Sequence, residues 1–347
     1  MRIKSIELDL PEQSIANDDV ADRIRFHSGD IFTGNVEDLT RLVLRLLERS
    51  GARTRFWSDQ RSKPIDYIAK AANRAIAKSD VAKSDIELVV FVGVDRGFYE
   101  PANAYFVADC LGLRSAQCFD IVDACNGWSR ALQVCDALFE AGQYRSALLV
   151  NGEFPMFERG PVNPKLFKIE SLKQLEHRFP AFTLGEGATA TVITAEADEN
   201  WEYSTLSSPG HADLCTVSCY EGARFSRDLP RLDLDGAGHF VSFGAEMIAQ
   251  GSEYAVKVLQ SLSASLDTIS AVFPHAVSQP AVEAAALRAG ASQLVYGTFP
   301  KVGNLISASV PAGIALALGE GRIKSGDIAA GWVGSAGMVF SAYTFTV

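Results

Sequence analysis

The chain has 347 residues, 48% of them hydrophobic and 21% charged, and its 32 Lys and Arg stand against 42 Asp and Glu for a formal net charge of −10. This composition excludes a disordered chain, because the apolar content is enough for a core and no long block of like charge holds a segment open. The acidic balance argues against a nucleic-acid partner, whose affinity would come from clustered Lys and Arg.

At this length about two domain-sized units are expected. The segment Met1 to Leu8 places charges every few residues and offers no apolar signal core. No window approaches 18 uncharged apolar residues, so no membrane span and a cytoplasmic location are expected. Six cysteines (Cys110, Cys118, Cys125, Cys135, Cys215, Cys219) lack the dense spacing of a secreted scaffold and suit a reducing compartment.

In chain order, a helix is predicted from about Ile65 to Ala77, then a buried strand over Leu88 to Val92, which is short, apolar and β-branched. A helix from Pro101 to Leu111 ends before Gly112, and another from Gly127 to about Ala141 ends before Gly142. A strand over Ala147 to Val150 follows, then the stretch Phe154 to Pro180 with basic residues Arg159, Lys165, Lys168, Lys173 and Arg178. Its charges suit an acidic partner, a cap on a cavity, or a plain surface excursion. Strands alternating with helices predict an α/β fold with mostly parallel sheets.

The pattern also repeats. Ile86 matches Ile269 and Gly152 matches Gly334 at nearly one offset, which predicts a duplicated α/β unit with a seam near Thr194 to Asn200. We take residues 1–197 and 198–347 as the two halves, related by a pseudo-twofold axis. Ligands bind at the strand ends of such sheets, where helix N-termini begin. Cys125 lies at such a turn in the first half; His275 ends a strand in the second, where Gly303-Asn304 precedes a helix from Ile306 to Leu318. Cys125 and Asn304 are expected in comparable places. A thiol at a helix N-terminus is expected to be acidified and nucleophilic. Cys110, Cys118 and Cys135 read as small buried hydrophobes. His211, Cys215 and Cys219 lack a fourth ligand, so no metal site is expected.

The segment Phe119 to Gly127, the strand end at His275 and the run Gly303 to Pro311 resemble the three catalytic blocks of the β-ketoacyl-acyl carrier protein synthase III group of thiolase-fold condensing enzymes. Ser50 to Arg55, Leu184 to Ala188 and Gly334 to Gly337 support this, in family order over nearly the whole chain. The resemblance implies a five-layered αβαβα fold, a homodimer and a Cys125-His275-Asn304 site without metal or bound redox cofactor. Cys125 would take an acyl group from coenzyme A or a phosphopantetheinyl acyl carrier protein. An oxyanion hole would come from the backbone N–H groups of Cys125 and Ala336. His275 and Asn304 would donate to the carbonyl of a second acyl thioester in a Claisen condensation, in lipid or specialised-metabolite biosynthesis. Glu100-Pro101-Ala102 is similar to head-to-head condensing enzymes of the OleA type, in which this glutamate reaches the partner protomer's cavity as a base. At the tunnel mouth, Arg49 matches a family arginine, Arg45 stands where a stacking tryptophan is usual, and Arg159 is a further candidate. A hydroxymethylglutaryl synthase would place its acid at about Val94, and Asp95 is one residue off that register. Acyl transfer to oxygen or nitrogen, or a non-catalytic subunit of a heterodimer, are the alternatives.

Overall fold

The computed structural model describes residues 1–227, 229–264 and 266–347. Its first part runs β1 (Arg2–Asp9), β2 (Gln13–Ala16), α1 (Asn17–Ser28), α2 (Val36–Ser50), β3 (Thr54–Trp57), α3 (Pro64–Lys78), β4 (Leu88–Val92), α4 (Asn103–Leu111), β5 (Gln117–Ile121), α5 (Gly127–Glu140), β6 (Ser146–Glu153), α6 (Leu175–Arg178) and β7 (Gly187–Thr194). The rest runs β8 (Glu202–Ser207), β9 (Cys215–Val217), β10 (Phe240–Ser242), α7 (Gly244–Gln260), β11 (Ala271–Pro274), α8 (Gln279–Ala289), α9 (Phe299–Val302), α10 (Ser309–Gly319), β12 (Ile328–Ser335) and β13 (Val339–Thr346).

Two large sheets organise the chain, with strand orders β1-β7-β6-β4-β5 and β8-β13-β12-β11. In the first, β4 is parallel to β5 and β6, and β7 runs antiparallel to β6 and β1. In the second, β11 is parallel to β12, and β13 runs antiparallel to β12 and β8. The sheets therefore match strand for strand, except that a single parallel bridge from Val272 to Val295 stands where β5 stands in the first.

Alternation along β4 shows how five layers form. Leu88, Val90 and Val92 face a central layer made by Trp128, Leu132 and Phe139 of α5 with Val310 and Ile314 of α10, whose other side meets Phe273, Val333 and Tyr343 of the second sheet. Val89 and Phe91 face outward to α3 and α4. On the far side, α7 and α8 cover Ala330, Trp332 and Phe340. Helices, sheet, helices, sheet, helices is the stacking order.

The predicted strands and helices are present, with differences at some ends. The helix expected from Pro101 begins at Asn103, because the Asp120 carboxylate on β5 accepts from the backbone N–H groups of Asn103 and Ala104 and fixes the first turn there. Cys135 is buried as expected, but Cys118 is half-buried and Cys110 is exposed. The stretch 154–180 is no plain excursion. Met156, Val162, Leu166, Phe167 and Ile169 pack with α1 and α2 in a core of their own. Arg178, grouped above with the surface cations, is buried and donates from Nε to Asp235 at 2.8 Å. His211 lies in a short 3-10 turn and Cys215 in β9, so their spacing is not that of a helix face; among the described residues no cluster of three metal-ligating side chains occurs. No helix among the described residues is long and apolar enough to cross a membrane.

Candidate active site

After β5 the chain makes a 3-10 turn over Ala124–Asn126 and enters α5, and after Asn304 it makes the same turn over Ile306–Ala308 and enters α10. Both turns open on a non-glycine residue with positive φ, Ala124 at 46° and Ile306 at 52°. Such backbone is costly and held only by its surroundings. The register between the turns makes Ser307, not Asn304, the counterpart of Cys125, which corrects the pairing expected above. Gly127 lets α5 start against the sheet, since a Cβ there would meet Val92 at 2.6 Å.

The turns are braced crosswise. Ser335, last residue of β12, accepts from the Asn126 N–H at 3.2 Å, one residue past Cys125. Glu153, last residue of β6, accepts from the N–H and hydroxyl of Ser307 and from the N–H groups of Val94 and Asp95. Each sheet thus holds the other half's turn.

Cys125, His275 and Asn304 line one cavity of about 580 Å³, with walls that include Val94, Met247, Phe340 and Trp332. Its size and apolar lining suit a hydrocarbon-bearing ligand. The His275 ring lies between the Gly334 carbonyl, 2.9 Å from Nδ1, and Asn304 Oδ1, 3.1 Å from Nε2. Asn304 Oδ1 also accepts from the Ile306 N–H at 2.8 Å, which orients the amide and leaves Nδ2 without a hydrogen bond among the described residues. Gly303, at φ 73°, makes this placement possible, because a Cβ would meet the Thr183 carbonyl at 2.7 Å.

Burial lowers His275 to about 4 against the opposing pull of its two acceptors, so the ring is neutral at pH 7. The thiol of Cys125 departs from expectation. Burial first, and then the neighbouring Cys215 and Glu153, push it well above its ordinary value, and the backbone N–H groups of Ala336 and of Cys125 itself pull in the opposite direction. The resting pair is a neutral thiol and a neutral imidazole, and the helix start does not prevail over enclosure. Those two N–H groups are the pair expected above to form an oxyanion hole.

Other expected residues are placed as follows. Arg49, at the exposed end of α2, lines the cavity rim; Arg45 and Arg159 are exposed and outside the lining. Glu100 is exposed on the loop before α4, away from its own chain's cavity. Glu186, between two glycines, accepts from the N–H groups of Ser58 and Met156, so this segment ties backbone together. Sequence reasoning did not assign Asp95 or Cys215 to the site, yet both line the cavity. A polar residue just past the apolar strand Leu88 to Val92 was the signal for Asp95.

A thiol, an imidazole and an amide gathered between two duplicated sheets define a thiolase-fold condensing enzyme. The fold agrees with that of OleA from Xanthomonas campestris: the structure with bound lauric acid and lauroyl-CoA matches with a TM-score of 0.81 at 21% identity over 100% of this chain and 98% of that one. Residues 259–347 match the family model described as 3-oxoacyl-[acyl-carrier-protein (ACP)] synthase III C terminal. A β-ketoacyl-[acyl-carrier-protein] synthase III of Rhodospirillum rubrum is 30% identical over 297 residues, 81% of this chain and 83% of that protein. The enzyme of the same name from Clostridioides difficile is 25% identical over 92% of this chain and 89% of that protein. The chain belongs to the β-ketoacyl-[acyl-carrier-protein] synthase III family, and it is an acyltransferase of the condensing class.

Proposed function

We propose that Cys125 is acylated by an acyl-coenzyme A or acyl-carrier-protein thioester and that His275 and Asn304 then activate a second acyl thioester for Claisen condensation. The observation that carries this reading is the convergence of the three side chains on one apolar cavity. In the first step the Cys125 sulfur attacks the thioester carbonyl and its proton leaves with the departing thiol. The backbone N–H groups of Cys125 and Ala336 meet the developing oxyanion. In the second, the free Nδ2 of Asn304 and the His275 ring face the carbonyl whose enolate attacks the acyl-enzyme. No metal or redox cofactor enters this scheme.

The halves 1–197 and 198–347 supply the nucleophile and the His-Asn pair respectively. Arg49 at the rim suits the phosphate of a pantetheine arm, with Arg45 and Arg159 further out on the approaching surface. The protein acts as a homodimer in this reading. β5 is an edge of the first sheet, and Phe98, Tyr99, Tyr105 and Phe106 are exposed on the chain leading to it, a combination that calls for a covering surface. Glu100 lies within that patch, exposed, and in this reading it enters the partner's cavity.

The test is intact-protein mass after exposure to acyl thioesters of graded length on coenzyme A and on carrier protein, beside Cys125→Ala. One acyl group on the native chain and none on the variant is the expected result. Persistent labelling of Cys125→Ala would move the nucleophile elsewhere.

A further inference from the structure

Neither acyl transfer to Cys125 nor enolate stabilisation by His275 and Asn304 uses a carboxylate, yet two line their cavity: Glu176, exposed on α6, and the half-buried Asp95. Asp95 follows β4 as Ser278 follows β11, and Val94, Asp95, Val277 and Ser278 form matching parts of the wall. The Phe154 N–H donates to Asp95 Oδ2 at 3.0 Å, and Glu153 accepts from the Asp95 N–H at 3.1 Å, so the side chain and its loop are both held. Oδ1 has no hydrogen bond among the described residues. Burial pushes the group up to about 6, which makes it a stronger base than a surface carboxylate while leaving it ionised at neutral pH.

The cavity's charge also speaks to its substrate. Arg49 at the rim is the sole Lys or Arg in the lining among the described residues, and His275 is neutral. A malonyl carboxylate brought beside Asp95 would meet a like charge with no cation alongside. A saturated acyl thioester meets no such obstacle, but its α-carbon must lose a proton instead of carbon dioxide.

We propose that Asp95 is the general base of the condensation and that the second substrate is a saturated fatty acyl thioester, joined without decarboxylation. This rests on the acylation of Cys125 proposed above. The Asp95 carboxylate takes the α-proton, and the C–H electron pair becomes the enolate held by His275 and Asn304. The α-carbon attacks the acyl carbonyl on Cys125, the C–C bond forms, and the C–S bond breaks. The Cys125 thiolate then recovers the proton from Asp95, so one hydrogen on carbon is exchanged for one acyl group.

The experiment follows α-proton exchange in D2O on the ketone analogue of decanoyl-coenzyme A in which methylene replaces the thioester sulfur, so that it cannot acylate a thiol. Decanoyl transfer to Cys125 is measured in parallel by intact mass. Asp95→Asn keeps the size and an acceptor for the Phe154 N–H; it should lose about 100-fold or more of exchange while acylation stays within about threefold. Native protein should make a β-keto product from decanoyl-coenzyme A alone. Exchange that survives in Asp95→Asn and disappears in Glu100→Gln would overturn the proposal in favour of a base from the partner. Product formed only with malonyl-coenzyme A and release of carbon dioxide would overturn it without recourse to any variant. Acylation without exchange in the native protein sinks this inference alone, whereas absence of acylation sinks the reading of the site.

Discussion

His275 occupies a position in which its two ring nitrogens both face acceptor oxygens, Gly334 O and Asn304 Oδ1. A neutral imidazole satisfies only one of them, and burial keeps it neutral. With its proton on Nε2, the ring can turn that N–H from Asn304 Oδ1 to a substrate carbonyl entering between Nε2 and Asn304 Nδ2. His275→Ala is therefore expected to leave acylation of Cys125 largely intact while lowering condensation by about 10² to 10³. Single-turnover acylation measured beside overall product formation checks this split. Asn304→Ala should follow the same pattern, since its oxygen also positions the His275 ring. These residues were legible in the sequence because a strand end, a turn and a helix start mark them locally. The state of the Cys125 thiol was not. Its acidity follows from how completely distant segments such as β9, which carries Cys215, enclose it.

At the scale of elements, what was readable is what depends on near neighbours. Leu88 to Val92 is apolar on every residue because β4 is covered on both faces, and that pattern is visible without coordinates. The stretch 154–180 defeated the same logic. Its buried residues are spaced irregularly among Lys165, Lys168 and Lys173, with neither a helical nor a strand period, and its anchor is 57 residues away in the chain. Arg178 donates from two of its nitrogens to Asp235 in a buried setting, and from Nη1 to the Lys168 carbonyl in a half-buried one. Asp235→Ala leaves that guanidinium without its counter-charge and should cost about 3 to 5 kcal/mol. Denaturant unfolding and faster proteolytic cleavage between residues 154 and 180 are the readouts. Pro155, Leu175 and Phe179 of this stretch line the cavity, so acyl-chain preference should shift along with the loss of stability.

For the whole molecule, three enclosed carboxyl groups set a pH dependence. Burial raises Asp95 to about 6, Glu153 to about 7 and Glu186 to about 8. Between pH 6.5 and 8 the unfolded chain has already released these protons, whereas native Glu153 and Glu186 still hold some of theirs. The native state then binds more protons, so stability falls as pH rises through this window. His275 works in the other direction only below its unfolded value, as pH falls from 6.5 towards about 4. Melting temperature should therefore decline from pH 6.5 to 8, and Glu186→Gln should flatten that decline. An unchanged slope in the variant would show that Glu186 is not a source of it. The duplicated plan was visible from sequence as two matched pairs of strands, but the crossed bracing of the turns was not, because Ser335 and Glu153 each act on the opposite half.

That crossed bracing joins two turns of one form. Ser307 keeps the turn, the strained residue before it and the helix after it, but offers a hydroxyl where Cys125 offers a thiol. Glu153 occupies that hydroxyl, and the Ile306 N–H of the same turn holds the Asn304 amide. One backbone device thus presents a sulfur in the first half and orients an amide in the second, so a difference in chemistry sits on a likeness in form.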